Sequence, residues 1–129
     1  MHLEIGGVMV GVRNQAVGAY GERVAERYLG GLGMAVLERN WRCADGELDL
    51  VLRDGDVLVA CEVKTRSSDA YGSPHEAIAA DKLDRLQRLA SRWAAERLSV
   101  TPPAIRIDLV AVRTGERGAA HVDHVRGLL

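Results

Sequence analysis

Apolar residues recur at helical spacing between Gly18 and Leu32, where Val24, Ala25, Tyr28, Leu29 and Leu32 make one face. Gly30, Gly31 and Gly33 end that helix. Ala35 to Arg39 reads as a short strand. From Gly46 to Arg53 the pattern alternates, with Glu47, Asp49 and Val51 on one face and Leu48, Leu50 and Leu52 on the other. Asp54-Gly55 is a hairpin turn signal. The valine-rich Val57 to Lys64 follows as a third strand. A polar loop from Ser67 to Pro74 leads into a long helix from Glu76 to Leu98, punctuated by Thr101-Pro102-Pro103. Ile105 to Val112 reads as a fourth strand and Ala120 to Val125 as a short fifth. The order α-β-β-β-α-β-β predicts an α/β fold, a mixed central sheet with helices packed on it. Met1 to Gln15 is glycine-rich and lacks clear periodicity.

Length and composition narrow the picture without deciding it. The chain has 129 residues, 47% of them apolar and 27% charged, which suits one domain with one core. No apolar run approaches the ~20 residues that span a bilayer. Met1 to Val12 is too short and weakly apolar for a secretory signal. A cytoplasmic protein without a membrane partner is expected. Cys43 and Cys61 lack metal-ligand spacing and are expected to be reduced and packed. The formal net charge of −1 excludes a protein that coats nucleic acid by bulk charge. Any such binding needs a local patch.

Chemistry concentrates in the third strand. Val57, Val59, Cys61 and Val63 point one way, and Leu58, Ala60, Glu62 and Lys64 the other. Glu62 and Lys64 thus share a face, about 6–7 Å apart. The hairpin brings Asp49 across from them. Two carboxylates near a lysine are hard oxygen donors suited to Mg²⁺ or Mn²⁺. A metal there polarises a phosphoryl oxygen and activates water, and an ammonium stabilises the charge that develops. The alternative is an exposed salt bridge on a half-buried strand. Glu22 lies at the edge of the first helix's apolar face, either as a third acid or as a solvated boundary residue. A glycosidase acid–base pair fits poorly, because the chain offers few aromatic platforms for sugars.

A second helix offers a basic patch. Arg85, Arg88 and Arg92 fall within about 60° of one another, flanked by Lys82. Leu83, Leu86, Leu89, Ala90 and Trp93 form the opposing apolar arc. That basic face either binds phosphates or is a solvated face balanced by Asp81, Asp84 and Glu96. Arg66, just past the third strand, is the better placed phosphate clamp. Trp41 and Arg42 belong to the site mouth, or Trp41 to the core. Gly72-Ser73-Pro74 is turn chemistry or a phosphate-approach loop. His75, His121 and His124 show no ligand spacing and are read as surface or capping residues. Glu76 favours a helix N-terminus.

Four ordered motifs carry a resemblance: G-A-Y-G-E (Gly18–Glu22), G-E-L-D-L-V (Gly46–Val51), E-V-K-T-R (Glu62–Arg66) and Y-G-S-P-H-E-A-I (Tyr71–Ile78). With the later R-I-D-L-V (Arg106–Val110) and His124-Val125, they closely resemble the YraN family of small bacterial proteins. That family looks like a branch of the PD-(D/E)xK restriction-endonuclease-like superfamily, similar to archaeal Holliday junction resolvases. The resemblance runs from about Asn14 onward, which implies a single endonuclease-like domain over residues 14–129 and a loose extension over residues 1–13. It implies Asp49 as the acid of the second core strand and Glu62 and Lys64 as the E-x-K. It also implies Glu22 as the helix glutamate, acting directly or through water, and the backbone carbonyl of Val63 as a further metal donor. Cys61 departs mildly from the apolar residue common before the glutamate, and a buried thiol behaves as a small hydrophobe.

The implied activity is Mg²⁺- or Mn²⁺-dependent hydrolysis of DNA phosphodiester bonds, selective for branched, Holliday-junction or single-stranded DNA, by a chain that acts as a symmetric pair. The alternatives are a nucleic-acid-binding module with little or partner-dependent cleavage, and an interaction protein whose acids are solvated.

Overall fold

The computed structural model describes residues 6–67, 79–114 and 120–128, with side chains from residue 16 onward in the first segment and as far as residue 66. Among the described residues seven elements appear: α1 (Gly6–Gly31), β1 (Ala35–Cys43), β2 (Gly46–Asp54), β3 (Val57–Ser67), α2 (Ala80–Arg97), β4 (Ala104–Thr114) and β5 (His121–Val125). The strands form one sheet in the order β1-β2-β3-β4-β5. β3 and β4 are parallel and the other neighbours antiparallel, so the sheet is mixed. α2 makes the crossover between the parallel pair, as such a connection requires. Among the described residues no helix is long and apolar enough to cross a membrane.

The helices cover opposite faces. Leu86, Leu89, Ala90, Trp93 and Ala94 of α2 pack on Trp41, Leu48, Val51, Leu58, Ala60 and Ile107. Ala25 and Leu29 of α1 pack on Leu50, Leu52, Val59, Cys61, Val110 and Val112. Trp41 is a core residue, and Trp93 Nε1 donates to Glu38 Oε1 at 2.8 Å. Both cysteines are free, and burial pushes the Cys61 thiol up.

Several boundaries differ from those the pattern predicts. α1 starts at Gly6 rather than Gly18. Glycines lower helix propensity, but extending an existing helix costs far less than nucleating one. Its buried stripe is Gly21, Ala25 and Leu29, while Tyr28 and Leu32 are exposed. α2 begins at Ala80, because Ala79 is extended; the expected start at Glu76 lies outside the described residues, as do Gly72, Ser73, Pro74 and His75. The β2–β3 turn is Gly55-Asp56, with Asp54 paired to Val57 and Gly55 at φ +64°. A two-residue hairpin asks for that conformation at its first central position.

One alternation fails with consequences. Leu48 packs with Trp41 and Val51 on the α2 side, rather than with Leu50 and Leu52. The β2–β3 ladder runs from Asp54–Val57 to Leu50–Cys61 and stops. Beyond it β2 stays paired with β1, and β3 with β4. The two strands part where the acids begin.

Asp108 of β4 is wholly buried and anchors the C-terminal end. Arg106 Nε and Nη2 donate to its two oxygens at 2.9 and 3.1 Å, His124 Nε2 sits 2.9 Å away, and the Gly127 N–H donates at 3.0 Å. Burial works to raise its pKa, but these partners together outweigh it and hold the carboxyl below its usual range. His124 is therefore an interior residue, stacked edge-on against Tyr28 with ring centroids 5.5 Å apart. Arg106 and Arg126 also share Asp54.

Removing this buried carboxylate takes from Arg106 its partner on β4 and leaves the His124 ring and the Gly127 N–H without theirs. Asp108→Ala is expected to cost about 3–5 kcal/mol, measurable by chemical denaturation. Because the folded-state pKa is depressed, this contribution is present above the ordinary aspartate value and is lost as pH falls through the lower, folded one.

Candidate active site

β3 carries Glu62 inward, to 7% exposure. Its Oε2 lies 3.5 Å from Lys64 Nζ and 2.7 Å from Lys82 Nζ. Lys64 comes from the same strand face, as alternation requires. Lys82 comes from the first turn of α2. Where β2 leaves β3, the Asp49 carboxylate takes over from the ladder: its Oδ2 accepts the Val63 N–H at 2.9 Å. Asp49, Glu62 and Lys64 thus converge, and with Val63, Glu47, Lys82, Arg85 and Leu89 they line a cleft of about 590 Å³.

α1 brings the fourth residue. Gly21 lies against β3 so closely that a Cβ there would sit 1.8 Å from Thr65 Oγ1 and 2.9 Å from Thr65 Cβ. This close approach places Glu22 within electrostatic reach of Glu62, Glu47 and Asp49. Burial raises the Glu22 pKa, a hydrogen bond with Asn40 works against that, and the charges of Glu47 and Glu62 add to it. Asn40 itself has φ +52°, a left-handed conformation that asparagine tolerates.

Asp49 feels the site most strongly. Its pKa is pushed up to about 7, first by burial and then by the Glu62 charge, against the lowering effect of the Val63 N–H. Glu22 and Glu47 add smaller repulsions. Repulsion from Glu62, Glu22 and Glu47 thus adds to burial in disfavouring a charged Asp49. Hard oxygen donors under such repulsion suit a divalent cation. Among the described residues no group of three His, Cys, Asp or Glu side chains stands ready to hold an ion by itself. Asp49 and Glu62 nevertheless fit Mg²⁺, which is usually held by one or two carboxylates and keeps several waters.

The basic residues divide. Lys82 belongs to the acid cluster. Arg85 lines the cleft and also, with Arg88, Arg92, Asp45 and Leu89, an adjoining cavity of about 410 Å³. Arg88 pairs with Asp84, and Arg92 with Glu96 and Asp45, so part of this face is compensated. Arg66 stands farther along β3, opposite Arg113 in register, and its carbonyl accepts from Thr114 Oγ1. Arg42 lines the cleft, 3.8 Å from Glu47. Sequence reasoning did not single out Gly21, Asn40 or Glu47 for the site. The G-A-Y-G-E motif contained Gly21, but nothing in spacing signals the contact with Thr65.

A family model described as "Uncharacterised protein family UPF0102" matches residues 21–112. A "UPF0102 protein" of Nocardioides sp. is 63% identical over 114 residues, covering 88% of this chain and 91% of its own length. One from Kineococcus radiotolerans is 56% identical over 121 residues, covering 93% and 99%. One from Beutenbergia cavernae is 59% identical over 113 residues, covering 88% and 95%.

Two outcomes are expected. Between its ordinary value of 3.8 and about 7, Asp49 binds more protons in the folded state than in the unfolded, so it costs stability as pH rises through that range. Asp49→Asn keeps a carbonyl acceptor for the Val63 N–H. Without metal it is expected to raise the melting temperature at pH 8 by roughly 5 °C and to have little effect at pH 4, read by thermal scans at both. Gly21→Ala gains about 1 kcal/mol of helix propensity but meets Thr65. A net loss of about 1–2 kcal/mol by denaturation is expected, partly recovered by adding Thr65→Ala.

Proposed function

The chain belongs to the UPF0102 family, and on that premise and the geometry of the cleft we propose that it is a Mg²⁺- or Mn²⁺-dependent endonuclease hydrolysing DNA phosphodiester bonds. The observation that carries this reading is the convergence of Asp49, Glu62 and Lys64 on the cleft, where burial and then the Glu62 charge push Asp49 up to about 7. Asp49 and Glu62 hold the cation, with the Val63 carbonyl and Glu22, directly or through water, completing its surroundings. What the cation supplies is a polarised phosphoryl oxygen and a water of lowered pKa. Lys64 presents an ammonium beside the reacting phosphate and stabilises the charge that develops on it. Arg85 sits at the junction of the cleft and the neighbouring arginine-lined cavity. A strand passing from one to the other meets Arg88 and Arg92 next, and Arg66 extends the phosphate contacts along β3.

The substrate is branched or single-stranded DNA, in line with the resemblance to junction resolvases. A symmetric pair of chains in the cytoplasm is the working form. A second reading, a binding module that cleaves little or only with a partner, is favoured by one feature: Glu62 is occupied by two ammonium groups.

A panel of duplex, single-stranded, flap and four-way DNA with Mg²⁺ or Mn²⁺ separates the readings. Cleavage of branched or single-stranded forms is expected, falling by about 10²-fold or more in Glu62→Ala and Lys64→Ala. Retained cleavage in both variants would sink the assigned site. Tight junction binding without turnover in either metal selects the binding module.

A further inference from the structure

Two ammonium groups from different elements meet on one carboxylate oxygen. Lys82 Nζ is the closer to Glu62 Oε2, at 2.7 Å against 3.5 Å for Lys64, a charge-assisted hydrogen-bond length. The partners are unequal in freedom. Glu62 is fixed in a central strand with a side chain only 9% exposed, while the Lys82 side chain is 36% exposed in the first turn of α2. A buried carboxylate without a partner is costly, so a lysine on it serves the protein when no metal is bound. The same carboxylate is a donor in the metal site proposed above, and an ammonium 2.7 Å from its Oε2 repels a divalent cation and competes with it for that oxygen.

We infer that Lys82 is a displaceable counterion of Glu62, which competes with a divalent cation for that carboxylate oxygen and moves off it when the cation binds. The inference rests on the reading of the cleft as a metal site. Lys64 is less suited to the role: it shares the rigid strand with Glu62 and makes the longer contact. Lys82 has a flexible four-carbon stem and an open cleft to move into. Arg85 lines that cleft as well, so a displaced Lys82 joins another cation there, and the charge that leaves Glu62 becomes available to a phosphate. Among the described residues, the charged groups that line the cleft with Lys82 are Arg42, Glu47, Asp49, Glu62, Lys64 and Arg85.

The test is Mn²⁺ binding to the full chain, freed of metal beforehand, followed by electron paramagnetic resonance of unbound Mn²⁺. Lys82→Met is expected to bind roughly tenfold tighter than wild type, the effect of removing one charge-assisted competitor. Lys82→Arg, which keeps the charge, is expected to stay near wild type. Tighter binding by Lys82→Met, or binding by that variant alone, supports the inference. Equal or weaker binding by folded Lys82→Met overturns it and leaves the metal site standing. No binding by wild type or Lys82→Met overturns both. A measurement on wild type needs no variant to fold: Lys64 and Lys82 are the only lysines, so mass spectrometry resolves their acylation separately. Lys82 is expected to react severalfold faster at saturating Mn²⁺, and an unchanged rate overturns the inference.

Discussion

The arrangement around the cleft depends on keeping a glutamate carboxylate inside a sheet. Glu62 lies in β3 between two apolar clusters, at a depth where an unpartnered charge costs several kcal/mol. Its partners come from elements far apart in the chain. Lys82 ties α2 to β3, and Lys64 adds a second cation from the same strand. β2 stops pairing with β3 one residue short of Asp49, and the Asp49 carboxylate accepts the Val63 N–H instead. That departure opens the cleft. It also carries Leu48 to the α2 side, against simple alternation.

The neighbouring strand shows the opposite solution. Asp108 stands opposite Cys61 in the β3–β4 register, one residue from Glu62, and is wholly buried. Arg106, His124 and the Gly127 N–H surround it, and their hydrogen bonds win against burial. Among the described residues Asp49 has one backbone donor and three negative neighbours, and burial wins. Two aspartates in one sheet therefore take opposite pKa shifts. The first is closed off by its partners and pins β5 and the chain after it. The second lines an open cleft beside Glu62 and Lys64, which is why the functional reading belongs to it.

Much of the architecture was legible in the residues. All seven elements and their order follow from periodicity and turn chemistry, because a half-buried strand and an amphipathic helix each write their exposure into the sequence. The ends were less legible. The start of α1 depends on helix propagation through glycines, and the start of α2 on the extended backbone of Ala79. His124 looked like a surface residue, since nothing local reveals an aspartate on the adjacent strand. Lys82 looked like the edge of a basic helix face, and its contact with Glu62 is made only after a crossover.

What the sequence alone determined is the strand faces that place Glu62 beside Lys64, the hairpin that brings Asp49 near them, and the family. These are local or short-range matters, set by alternation and a two-residue turn. Only the tertiary structure decided that β2 and β3 part at Leu50–Cys61, that Gly21 lets α1 approach Thr65 and present Glu22, and that Lys82 rather than Lys64 makes the shorter bond to Glu62. Each of these depends on how separate elements dock, and docking follows from packing volume and buried charge across the whole molecule rather than from any local pattern.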